Sequence, residues 1–180
     1  LGHVSAAPAL IDEAGAMIAD PLEALQVWIE YWRGLVEEWD RDIDAAYQAY
    51  ERALRIARQL GHRTAIAHSL AVLGRLAAAT GNDAVAATAL GESLGLFRDN
   101  EDRWGMAYVL LGEARMSAAS GHPARAAALL GTADTLREEL SIELSPPDRQ
   151  YREATIAAAR GGIGQPGFWC AWGVGRKQAV

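Results

Sequence analysis

Two arginines, Arg75 and Arg115, stand 40 residues apart in a stretch of chain that repeats at that spacing. A guanidinium is a planar fork of donors suited to carboxylate or phosphate, so the pair points either to recognition of an anion or to ordinary solvated arginines paired with neighbouring-repeat acids such as Glu37 or Glu113. Asp40, Asp42 and Asp44 with Glu37 and Glu38 form an acidic cluster. Oxygen ligands hold divalent cations, but the spacing lacks the glycine and terminal glutamate of a calcium loop. The cluster reads as a solvated turn and a helix N-terminus, where acid is favoured. The histidines, His3, His62, His68 and His122, form no His-Glu-x-x-His pair. His62 and His122 fall in inter-helix turns, and no metal is expected. Cys170 has no histidine nearby in sequence and sits among Phe168, Trp169 and Trp172, which predicts a buried, inert thiol. Gly161 to Gly167 is glycine-rich but lacks the Lys-Ser/Thr of a phosphate loop. Nothing pairs the acids with a base, a nucleophile or a second acidic motif. The chain is therefore read as non-enzymatic, with no catalytic residue and no cofactor.

The elements that position these groups follow from composition. The chain has 180 residues, 51% of them hydrophobic, with a net charge of -6. That excludes a disordered chain and suits one domain or a section of a repeat array. No apolar run has the ~20 residues a bilayer span needs. No Lys/Arg cluster offers the phosphate contacts of a nucleic-acid module; residues 1–50 hold ten Asp/Glu against two Arg. Leu1 to Pro8 lacks a signal-peptide pattern. A lone cysteine fits a reducing compartment, so a cytoplasmic location is expected. The chain begins at Leu1 without Met and is read as a fragment or a processed product.

Strand signals are nearly absent, and Ala, Leu, Glu and Arg favour helix. Gly and Asp/Asn punctuate at Asp20-Pro21, Asp40 to Asp42, Gly61-His62, Gly81-Asn82, Asp99 to Asp102 and Gly121-His122. They cut the chain into an all-α succession. Residues 53–92 laid on 93–132 give 14 identities in 40 without a gap, among them Leu70/Leu110, Arg75/Arg115, Gly81/Gly121 and Leu90/Leu130. A fixed period in this range signals stacked helix pairs. In one unit, helix A covers about 64–80 and helix B about 83–98, with Leu70, Leu73, Gly74 and Ala77 on one face and Ala86, Leu90 and Ser93 on the other.

Leu73-Gly74, Gly81-Asn82, Ala86 and Leu90 resemble the tetratricopeptide repeat. The next unit keeps Gly121, Ala126 and Leu130 but has Glu113-Ala114 in place of Leu-Gly. Over 53–176, Ser93 to Arg98, Asp102 to Ala107, Ala126 to Ala133, Pro146 to Arg149, Ala157 to Arg160 and Ala171-Trp172 look like the C-terminal repeat region of large bacterial signalling proteins, among them LuxR-type regulators with a STAND-class NTPase core and related cyclase-linked ATPases. That resemblance implies a sensor or interaction arm of a transcriptional or signalling protein, with its NTPase and DNA-binding parts elsewhere in the chain.

The expected architecture is a tetratricopeptide-like superhelix of about three helix pairs. Units fall near 7–21 (partial), 22–60, 61–100 and 101–144, with an irregular cap over 145–180. Residues 7–19 are read as a lone helix B. In the first unit a 40-residue register puts Glu30, Arg33 and Glu37 on core positions, so a register two residues off is preferred. It places Trp32, Leu35, Val36 and Trp39 there, and with Trp28 they form a stripe read as core face. The repeat resemblance implies that helix A lines the concave groove, through His68 and Arg75 in one unit, Tyr108 and Arg115 in the next, and Glu30, Arg33 and Glu37 in the first. The expected partner is a protein or peptide, or an anionic small ligand. A homodimer through the end left open by the half-repeat is also expected. Alternatives are an oligomerisation scaffold without ligand and, less favoured, a metal-dependent helical enzyme.

Overall fold

The computed structural model describes residues 21–141 and 143–178. They form seven helices: α1 (Pro21–Trp39), α2 (Ile43–Gln59), α3 (Arg63–Ala79), α4 (Asp83–Asp99), α5 (Arg103–Ala119), α6 (Pro123–Glu139) and α7 (Pro146–Gln178). No strand occurs among the described residues. The expected half-repeat at 7–19 lies outside them.

One turn recurs every 20 residues. Arg41, Gly61, Gly81, Glu101, Gly121 and Ser141 all take positive φ. After each of the first five, an amide donates back into the preceding helix: Asp42 to Glu37, His62 to Ala57, Asn82 to Ala77, Asp102 to Phe97 and His122 to Ser117. This reversal satisfies carbonyls left open at a helix C-terminus, and its left-handed residue is usually glycine. The next residue starts the following helix. Asp42 and Asp102 accept an amide three residues on, and His62 does so through Nδ1.

Consecutive helices pack antiparallel, and α1, α3, α5 and the first half of α7 also touch one another as the inner layer. Backbones approach where a glycine faces a large residue. A Cβ on Gly34 would lie 2.5 Å from the Tyr50 ring, and one on Gly74 would lie 2.7 Å from Leu90. Those pairs are 40 residues apart at both ends. The Ser93 hydroxyl donates to the Ala67 carbonyl at 2.8 Å and ties α4 to α3.

The first unit therefore obeys the 40-residue register, and the shifted register does not hold. The buried face of α1 carries Val27, Glu30, Gly34 and Glu38, while Trp32, Val36 and Trp39 are exposed and Trp28 and Leu35 are half-buried. Acidic core positions are tolerated because each acid has cationic partners. Glu30 accepts from Arg33 and Arg52, both at 2.8 Å, and Glu38 accepts from Arg75.

The cap is helical through Gly161 and Gly162 and bends only at Gly164, whose φ is 70°. Its second half lies close against α6. A Cβ on Gly175 would meet the Ala128 carbonyl oxygen, and one on Gly131 the Trp172 carbonyl. Asp134 holds this junction, accepting from Arg152, Arg137 and the Trp172 indole. Burial opposes its charge, but those donors prevail and hold its carboxyl below the usual range. Cys170 is exposed, not buried. At helical spacing Phe168 turns inward and Cys170, two residues on, turns out.

Candidate functional site

Repeat spacing brings residues 28, 68, 108 and 148 to one inner surface, supplied by α1, α3, α5 and α7. His68 sits among rings. Its centroid is 4.9 Å from Phe97, 5.1 Å from Trp104 and 5.8 Å from Trp28. Asp102 Oδ2 lies 3.7 Å from its Nε2. Burial lowers the His68 pKa, with Asp102 opposing, so the ring is neutral at pH 7.

Arg75 is 2% exposed. Its Nη2 donates to both Glu38 oxygens at 2.6 Å, and its Nε donates to the Tyr108 hydroxyl at 2.9 Å. Tyr108 donates onward to Asp148 Oδ1 at 2.9 Å, and Asp148 Oδ2 accepts from Ser145 at 2.6 Å. Tyr50 donates to Glu38 at 2.8 Å. The guanidinium also lies 5.6 Å from the Tyr108 ring centroid and 5.3 Å from that of Tyr151. Burial works against the Arg75 charge, but Tyr108, Glu38 and Asp148 outweigh it and hold its pKa well above the ordinary value. Burial raises the Tyr108 pKa, so the phenol keeps its proton.

His68, Arg75 and Tyr108 thus converge on one face, as the repeat geometry requires. The Arg75 head, however, is not in a solvent groove. It is the centre of a buried network that joins the inner helices. Its carboxylate comes from Glu38, not from Glu37 or Glu113. In the first unit the groove-facing set is Trp28, Tyr31 and Leu35, one 40-residue period before His68, Ala71 and Arg75, rather than Glu30, Arg33 and Glu37. Sequence reasoning missed Glu38, Tyr50, Asp148 and Tyr151. The signal was the period itself: 148 and 151 are 108 and 111 advanced by 40.

Arg115 is placed differently. It borders a cavity of about 330 Å³ whose lining includes Arg41, Gln150 and Tyr151 beside the Arg75–Glu38 pair. Neither Arg115 nor Arg41 has a side-chain hydrogen bond or ion pair among the described residues. Ala78 stands 37 residues before Arg115, where Glu38 stands 37 residues before Arg75. The buried Tyr151 hydroxyl has no hydrogen-bond partner. Burial raises its pKa, and the Arg75 and Arg115 charges pull it back. No group of three metal-ligating side chains occurs among the described residues, and none of the described helices is long and apolar enough to cross a membrane.

The family model described as Tetratricopeptide repeat matches residues 25–99. Repeats of this kind generally mediate protein–protein interaction. No curated protein and no solved structure matches the chain. With its recurrent turn, small-to-large helix contacts and stacked pairs, residues 25–99 form a tetratricopeptide-like repeat region.

Proposed function

We propose that this chain is a non-catalytic interaction segment of a larger cytoplasmic transcriptional or signalling regulator, and that it takes an acidic segment of a partner protein at the cavity bounded by Arg115 and Arg41. The supporting observation is the contrast between two arginines at equivalent repeat positions. Arg75 meets a carboxylate within the chain, while Arg115 borders an open cavity with its fork unpaired. A carboxylate from a partner supplies what Glu38 supplies to Arg75. His68, Arg75 and Tyr108 then hold the inner wall, and Arg115 contacts the ligand.

The test is fluorescence anisotropy with a labelled oligo-glutamate peptide, in low and in physiological salt. Arg115→Ala is expected to weaken binding by about 1.5–3 kcal/mol, the range for a hydrogen bond to a charged group. Stability should stay within about 0.5 kcal/mol, because the half-buried Arg115 has no hydrogen bond or ion pair among the described residues to lose. Peptide affinity unchanged in Arg115→Ala refutes this site.

A further inference from the structure

Two tyrosine hydroxyls of the Arg75 network donate to carboxylates. Tyr50 donates to Glu38 at 2.8 Å, and Glu38 also accepts from the Arg75 guanidinium. Tyr108 donates to Asp148 Oδ1 at 2.9 Å, and the Arg75 Nε stands 3.5 Å from that same oxygen. Each carboxylate is thus held between a guanidinium and a phenol. Arginine brings the charge, and tyrosine brings a second, neutral donor.

Tyr151 has the guanidinium without the carboxylate. It is 9% exposed, and its hydroxyl is buried with no hydrogen-bond partner. The ring is seated from two sides. It packs with Leu111 and Ala114 of α5, and the Arg75 guanidinium lies 5.3 Å from its centroid. Buried polar groups are nearly always hydrogen-bonded, so an orphan hydroxyl marks a place for an acceptor. Tyr151 and Arg115 line the same cavity of about 330 Å³, and the Arg115 charge acts on the phenol. Arg41 and Gln150 add further donors to the lining. Glu38, the one acid among the described lining residues, is already engaged by Arg75 and Tyr50. The cavity therefore repeats the donor pair that holds Glu38 but lacks the acid.

We propose that the Tyr151 hydroxyl is a binding group of this cavity, donating to one oxygen of a partner's carboxylate while Arg115 takes the other, as Tyr50 and Arg75 share Glu38. It rests on the acidic-segment reading of this cavity and adds the residue that selects within it. A carboxylate offers an oxygen to each donor. A glutamine amide has a single oxygen and turns an N–H toward the second donor, so it is refused.

The experiment uses the full chain and Tyr151→Phe, which removes the hydroxyl and keeps the ring. In the anisotropy assay Tyr151→Phe should bind the oligo-glutamate peptide about tenfold more weakly than the native chain. Thermal melting should show the variant at least as stable, because a hydroxyl without a partner leaves nothing unpaired when it goes; a merely structural role would lower the melting temperature instead. A second measurement reads the phenol itself. In protein carrying ¹³C at tyrosine Cζ, the Tyr151 signal, identified by its loss in Tyr151→Phe, should shift with oligo-glutamate and stay in place with oligo-glutamine. Equal peptide affinity in Tyr151→Phe and the native chain overturns the proposal, and so does a Tyr151 signal that oligo-glutamate leaves unmoved. The two readings fail separately. Binding lost in Arg115→Ala but kept in Tyr151→Phe refutes the Tyr151 assignment alone, whereas binding kept in Arg115→Ala refutes the cavity as the site.

Discussion

Replacing Arg75 by methionine removes the guanidinium at the centre of the inner network and leaves its carboxylates behind. The Glu38 side chain is 2% exposed and would keep a single donor, the Tyr50 hydroxyl. Asp148 would lose the cation 3.5 Å away. Breaking a buried pair by removing one partner costs about 3–5 kcal/mol, because a charge remains buried without compensation. That is a large part of the ~5–15 kcal/mol that holds a native domain. At roughly 2–4 °C per kcal/mol for a chain of this size, the melting temperature should fall on the order of 10 °C. Urea unfolding followed by helical circular dichroism reads the loss. The double variant Glu38→Met/Arg75→Met should recover most of it, since an apolar pair can replace a buried ion pair at little cost. Arg58→Met is the control. Its pair with Glu92 is exposed on both sides, and such pairs contribute about 0–1 kcal/mol. An Arg75→Met loss no larger than that of Arg58→Met would refute the buried-network account. So would a double variant as weak as the sum of its single changes.

Two further outcomes follow from packing and titration. Gly34→Ala should cost about 1–3 kcal/mol by overpacking against Tyr50, whereas Gly91→Ala, whose added Cβ meets nothing within 4 Å, should gain up to ~1 kcal/mol of helix propensity; thermal melts of the two variants should move in opposite directions. His68 has its folded pKa below its unfolded value near 6.5, so the unfolded chain takes up the proton first. Its contribution is complete above about pH 6.5 and is lost as pH falls below it. The difference in stability between the native chain and His68→Phe should therefore change between pH 7 and pH 5, and pH-independence would exclude the buried neutral ring.

The fold was legible because its punctuation is covalent chemistry. Gly61, Gly81 and Gly121 mark left-handed turns, and Asp42 and Asp102 are short acceptors at helix starts. Helix boundaries expected near 64–80 and 83–98 came out as Arg63–Ala79 and Asp83–Asp99. The turns at Asp40 to Asp42 and Asp99 to Asp102 were legible from their acids, and there Arg41 and Glu101, like Ser141, take the same backbone with side chains that disfavour it. The first unit misled because hydrophobic ranking places tryptophan inside and glutamate outside. On α1 the partners Arg33, Arg52 and Arg75 invert that ranking, and two of these three lie on other helices. Cys170 misled for a simpler reason: its aromatic neighbours in sequence are distributed around a helix. Arg75 and Arg115 could not be told apart from their own positions. The residue that separates them lies 37 positions upstream of each.

That residue supplies a reciprocal change. Glu38 precedes Arg75 by 37 residues, and Ala78 precedes Arg115 by the same interval. Ala78 is buried on α3, in the equivalent turn of the equivalent helix. Ala78→Glu should therefore carry the internal pair one repeat along, giving Arg115 a carboxylate from its own chain. Anisotropy with the oligo-glutamate peptide should then show binding reduced as far as in Arg115→Ala, because the fork is already filled. Stability should fall by much less than the ~3–5 kcal/mol of an unpaired buried charge, because the new acid meets its cation. Combining Ala78→Glu with Arg115→Ala should expose that cost in full. If Ala78→Glu alone destabilises as severely as the combination, the two arginines do not occupy equivalent positions. If the peptide still binds Ala78→Glu with native affinity, Arg115 is not what holds it.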